Sequence, residues 1–127
     1  MKRIFFILLG IVAIFILTIV LCSLFVLQYE EAKPFSVSEY QTELNNFSTD
    51  LTLGRILSSK DAAKQARSVW YDTYGLTAIV NQRYLVSYDS QADIYLVQGT
   101  HNRTEGGVPY LLLDAKTGTV LALWHDR

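Results

Sequence analysis

Apolar residues along this chain fall into three patterns, and each predicts a different element. Residues 4–27 are 24 consecutive uncharged, mostly apolar positions with no polar face, which predicts one continuous hydrophobic helix. Between residues 58 and 75 the period becomes helical. Ala62, Ala63, Ala66, Val69, Trp70 and Tyr74 share one face, and Lys60, Lys64, Gln65, Ser68 and Asp72 lie on the other. Ser58, with Asp61 three residues on, supplies the start signal and Gly75 the stop. From residue 76 onward the period shortens to two, predicting short strands at 76–80, 84–88, 94–99, 108–113 and 119–124.

The last two strands carry the clearest signal. Over residues 106–125 both arms alternate with apolar residues on each face, so this hairpin is expected near the centre of the sheet. Asp114 can accept hydrogen bonds from the backbone that follows it, and Gly118 can take the positive φ that closes a bulged turn. Gly106 and Gly107 are read as a tight closure or bulge at the entry to the first arm. A helix followed by an antiparallel meander is an α+β domain, with the helix packed on one face of a curved antiparallel sheet. Trp70 and Trp124 are both expected on that helix-facing side. Residues 29–50 are more polar, carry Pro34, and are expected as a spacer. Within it a short helix at 38–47 would be capped by Ser38, with Tyr40, Leu44 and Phe47 along one side. The predicted organisation is therefore 1–28 as start and membrane anchor, 29–50 as spacer, and 51–127 as the folded domain.

Charge sharpens the reading of the amino terminus. The whole chain has a formal net charge of −1, but setting aside Lys2 and Arg3 leaves nine basic against twelve acidic side chains, a net of −3 on the remainder. Basic residues before the apolar run and Glu30 and Glu31 after it predict a cytoplasmic amino terminus. The domain is then periplasmic or otherwise extracytoplasmic. A cleaved signal peptide is the competing reading. It has the same positive start, but its apolar core is usually about 7–15 residues and ends in small residues, which are missing here. The only cysteine, Cys22, lies inside the apolar run, so the domain has neither a disulfide nor a thiol nucleophile. No basic cluster interleaved with aromatics is present, which argues against nucleic acid as a partner.

Candidate chemistry is sparse. His101 and His125 are the only histidines, and no HxH, HExxH or comparable spacing surrounds them, so neither a metal site nor a cofactor is expected. No GxSxG turn offers a serine nucleophile, and Gly106-Gly107 precedes a strand rather than a helix. What remains is a recognition surface. His101, Arg103 and Glu105 in the loop before the terminal hairpin, with His125 and Asp126 at its end, offer both charge signs beside Tyr110.

From Ser58 onward the chain resembles a bacterial immunity-protein family of NTF2-like (cystatin-like) fold, found in Rhs-associated polymorphic toxin systems. The matching features are the Ala-rich helix ending in Tyr74-Gly75, the strand Tyr84-Leu85-Val86, and the strand Tyr95-Leu96-Val97-Gln98-Gly99. Gly106-Gly107-Val108, and Lys116-Thr117-Gly118-Thr119-Val120-Leu121 running on to Trp124-His125, complete the set. The family usually has Pro at the position of Arg83 and Trp at that of Tyr95. The resemblance implies a protein without catalytic activity that binds and neutralises a cognate toxin. The run Asp114 to Val120 is also similar to the end of PepSY domains, which implies an alternative role as an exported peptide- or protease-binding regulator.

Overall fold

The structure, a computed structural model, describes residues 1–100 and 107–126. An apolar helix α1 (Lys2–Phe25) opens the chain, long and apolar enough to cross a membrane, with none of its side chains buried. Its 24 residues reach about 36 Å at 1.5 Å per residue, against roughly 30 Å of hydrocarbon. A short strand β1 (Gln28–Glu31) follows almost at once, then a 3-10 turn (Val37–Tyr40) and a short helix α2 (Gln41–Asn46). The long domain helix α3 (Ser59–Tyr74) precedes four strands, β2 (Arg83–Asp89), β3 (Ile94–Gly99), β4 (Val108–Asp114) and β5 (Val120–Asp126). Together β1 to β5 make an open mixed sheet in sequence order.

The expected meander forms, but the expected spacer does not. Residues 28–31 pair in parallel with β2, Gln28 against Arg83 through Glu31 against Val86, and so add a fifth strand to what was expected to be purely antiparallel. All four residues of β1 are exposed, so an edge strand of this kind leaves no alternation in the sequence. Phe35, Val37, Tyr40, Leu44 and Phe47 then pack over Ile94, Leu96, Leu112 and Ala122, and residues 29–50 belong to the folded unit. The predicted helix at 38–47 is split at Tyr40 into the 3-10 turn and α2, and Ser38 caps neither piece.

A second correction concerns residues 76–80, which form a 3-10 turn (Leu76–Ala78) rather than a strand. The Leu76 carbonyl accepts from both the Ile79 and Val80 N–H groups at 3.1 Å, and Asn81 takes a positive φ of 50°. The chain needs this tight reversal to bring β2 back along α3. The start and stop of α3 are as the sequence predicts. Ser58 Oγ accepts from the Asp61 N–H at 3.2 Å, and Asp61 Oδ2 accepts from the Leu57 N–H at 2.9 Å. Gly75, at φ 86°, donates to the Tyr71 carbonyl.

Two apolar layers hold the sheet, one on each face. On the first, Ala62, Ala63 and Ala66 bring α3 close to Val97, Leu111 and Val120, while Trp70 fills the wider end. Trp70 is fully buried and stacks on Tyr84, with ring centroids 5.3 Å apart and planes at 10°. Trp124 is on the other face, stacked on Tyr110 at 5.1 Å and 3° and tilted against Tyr40 at 5.5 Å. A bulge in β5 explains the reversal: Leu112 pairs with Ala122 but Leu113 with Val120, so Leu121 is skipped and the period of two slips by one residue. Asp114 Oδ1 accepts from the Lys116 and Thr117 N–H groups, and Gly118 has φ 68°. A Cβ there would come within 2.0 Å of the Gly54 carbonyl oxygen, because residues 51–56 run against the turn.

Two substitutions at the stacked pair should part company. Trp70→Ala opens a cavity under α3 and is expected to cost about 3–5 kcal/mol in urea unfolding of residues 28–127. Trp70 Nε1 and the Tyr84 hydroxyl are buried without a hydrogen-bond partner. Tyr84→Phe removes one such orphan while keeping the ring, so it should be neutral or stabilising by about 1 kcal/mol. Gly118→Ala should lower the melting temperature more than Gly54→Ala, since only the first adds a clash to the positive φ.

Candidate functional site

The turn between β2 and β3 is built around Asp89. Its Oδ1 accepts from the Gln91 and Ala92 N–H groups at 3.0 and 3.1 Å, and its Oδ2 reaches the Val37 N–H at 2.9 Å. The carboxylate thus shapes its own turn and holds down the segment that covers the second face of the sheet. These backbone donors, Val37 first, hold its pKa below the usual carboxylate range.

Beside this turn Tyr88 and Tyr95 face each other across β2 and β3, with ring centroids 4.7 Å apart. The Tyr88 hydroxyl donates to Asp93 Oδ1, and that bond pushes its pKa up to about 12. Tyr95 is raised as well, by burial and then by the charges of Asp93, Glu31 and Asp61. The two rings form part of the wall of a groove of about 410 Å³. Its other walls are Val86, Ser90, the chain leaving β1 through Glu31, Ala32 and Pro34, and the start of α3 at Ser58 and Ser59.

The composition of this groove defines what it can do. Among the described residues, two tyrosine rings, three serine hydroxyls and Glu31 line it and no Lys or Arg does, and Asp61 and Asp93 add negative potential near Tyr95. Such a site suits a cationic side chain, held by ring faces and carboxylates together. Ser58 is committed to capping α3. Among the described residues, no group of three or more His, Cys, Asp and Glu could hold a metal ion.

Of the surface predicted from sequence, the described residues His125 and Asp126 lie at the other end of the sheet. His101, Arg103, Glu105 and Gly106 are outside the described residues, and Gly107 stands just before β4. His125 and Asp126 are exposed at the end of β5. They turn to opposite faces: His125 meets the Tyr74 ring edge-on at 5.5 Å, whereas Asp126 hydrogen-bonds Tyr110. Gly99 lets Pro109 approach, since a Cβ there would sit 2.9 Å from Pro109 Cδ. Ser58, read from sequence as the start of α3, and Tyr95, read as a marker of β3, both line the groove, whereas His125 and Asp126 do not. A signal for Tyr88 was present, because pairing Asp89 with Ile94 sets Tyr88 opposite Tyr95.

Asp89 gives this region an acid sensitivity of definite sign. A carboxylate whose folded pKa is depressed contributes stability above its unfolded pKa of about 4, and that contribution is lost as pH falls through the folded value. Melting temperature should therefore drop below about pH 4 in the native chain, and less steeply in Asp89→Asn, whose baseline at neutral pH is lower. Parallel curves for the two proteins would remove Asp89 from this role.

No family model matches the chain, and no match was found among curated proteins or solved structures.

Proposed function

We propose that this chain is a membrane-anchored immunity protein of NTF2-like fold that binds a cognate bacterial toxin and blocks it without catalysis of its own. The observation that carries this reading is the groove at Tyr88, Tyr95 and Glu31. It is a concave, acidic, aromatic surface of the kind that anchors a few basic side chains of a protein partner. Its position also supports the reading. β1 and β2 run parallel, α1 joins at the start of β1, and the groove lies over the last residues of both strands, toward the end of the sheet far from the anchor. With the amino terminus in the cytoplasm, that end projects outward from an extracytoplasmic membrane face, where an incoming toxin would meet it first.

The open outer edge of β1 favours a second reading, a PepSY-like regulator that captures an extended peptide by strand addition. The two readings part at the rings. A toxin held by basic anchors depends on Tyr88 and Glu31, whereas strand addition depends on the β1 backbone.

The test is protection. Cells expressing the toxin encoded beside this gene should survive when the full chain is co-expressed. Survival should be lost with the Tyr88→Ala, Glu31→Lys double variant while its melting temperature stays within a degree or two of the native value. Survival with the folded double variant would move the interface elsewhere. Death with the native chain would overturn the immunity reading.

A further inference from the structure

The last carbonyl groups of a helix point along its axis toward whatever lies beyond its end. For α1 that is the domain itself: the Leu24 carbonyl accepts from the Asn81 backbone N–H at 2.9 Å, and the Phe25 carbonyl from Arg67 Nη1 at 3.0 Å. Leu27, two residues on, packs against the first core, and β1 begins at Gln28. The domain is thus seated on the end of α1 with no slack between them.

We propose that the end of the domain formed by the last turns of α3 and the 3-10 turn after it is a lipid-contact surface. In it Tyr71 and Leu76 lie at the level of the phospholipid headgroups and the first acyl carbons. This rests on α1 being a retained membrane span, as in the function proposed above. Leu76 is tied to Val80 through its carbonyl at 3.1 Å, and the next residue, Asn81, holds Leu24. That chain of contacts leaves the Leu76 backbone within roughly 10 Å of the Leu24 carbonyl. Tyr71 is one helical turn beyond Arg67 on the same flank of α3. Leu24 is inside the uncharged run that ends at Leu27, so it sits at the hydrocarbon boundary, and the interfacial layer beyond it is about 5–8 Å deep.

Both side chains are otherwise hard to account for. Tyr71 is 50% exposed and Leu76 51%, although each adjoins apolar positions that are buried, Trp70 and Ala78. An interfacial position suits them, since tyrosine is enriched where an aromatic body meets hydrocarbon and its hydroxyl meets headgroups. A second protein could cover the same residues, but it would have to reach them within a layer that lipid already fills.

Depth-resolved quenching tests this on the full chain. In a Cys22→Ser background, Ile14→Cys, Leu76→Cys and Ser90→Cys each receive a polarity-sensitive fluorophore. Each protein is then reconstituted in vesicles of phosphatidylcholine and phosphatidylglycerol carrying nitroxide lipids. The Ile14 label should be quenched best by a deep acyl nitroxide, the Leu76 label by a headgroup or shallow acyl nitroxide, and the Ser90 label, beside the groove, by neither. Equal, weak quenching at Leu76 and Ser90 with Ile14 still quenched would overturn the lipid contact while leaving the anchor intact. An unquenched Ile14 label would overturn the anchor, and the lipid contact with it.

Discussion

A helix cannot satisfy its own last carbonyl groups, and at the end of α1 that shortfall decides how the following domain is attached. Here Leu24 and Phe25 find their donors in Asn81 and Arg67, which belong to the reversal before β2 and to α3. Those two elements frame the first core, so the donors are held by the same packing that buries Trp70 and Tyr84. The chain then has only Val26 and Leu27 before it must enter the sheet, and the nearest free edge is that of β2. A parallel pairing follows because α1 and the start of β2 meet at the same end of the sheet. The register and orientation of β1 are both set by this single junction.

The sheet that receives the junction is covered on both faces, which is unusual for a meander with only one long domain helix. Leu111, Leu112 and Leu113 are all fully buried, and they point alternately to α3 and to the α2 segment. The second cover is thin: α2 has six residues, too few to be stable alone. Its attachment depends on Tyr40 packing against Trp124, on Leu44 packing over the second core, and on Asp89 accepting the Val37 N–H. A charged acceptor does here what a longer helix would do through buried area. It also makes the turn next to the groove part of the domain's stability.

The fold was legible wherever a period ran unbroken. The face of α3, the turn at Asp114 to Gly118 and the strands β2 to β4 follow from spacing alone, because in each the period runs without an inserted or skipped residue. Where the pattern fails there is a physical cause. Gln28 to Glu31 form a strand without an apolar face because an edge strand needs only a backbone partner. Trp124 changes sides because one skipped residue in β5 reverses every side chain after it. Leu76 to Val80 look like a strand in composition, yet the left-handed Asn81 and the carbonyl of Leu76 make them a reversal. The site was less legible than the fold. Glu31, Ser58 and Tyr88 are far apart in sequence, and only the parallel pairing of β1 brings Glu31 to the groove.

That pairing also separates the groove from the junction with α1. Residues that join α1 to the domain, Arg67, Asn81 and Leu27, lie by the start of β1 and β2. Glu31, Tyr88 and Tyr95 lie near the opposite ends of their strands, and Ser90 in the turn that joins β2 to β3. Between them stands the doubly covered sheet, whose packing resists distortion and so keeps changes at one end from reaching the other. Groove side chains can therefore change without loosening the junction with α1. The exception is Asp89, which shapes the turn beside the rings and also fastens the second cover. A substitution there would reach both the turn beside the groove and the second cover, whereas one at Tyr88 would reach only its neighbours Tyr95 and Asp93.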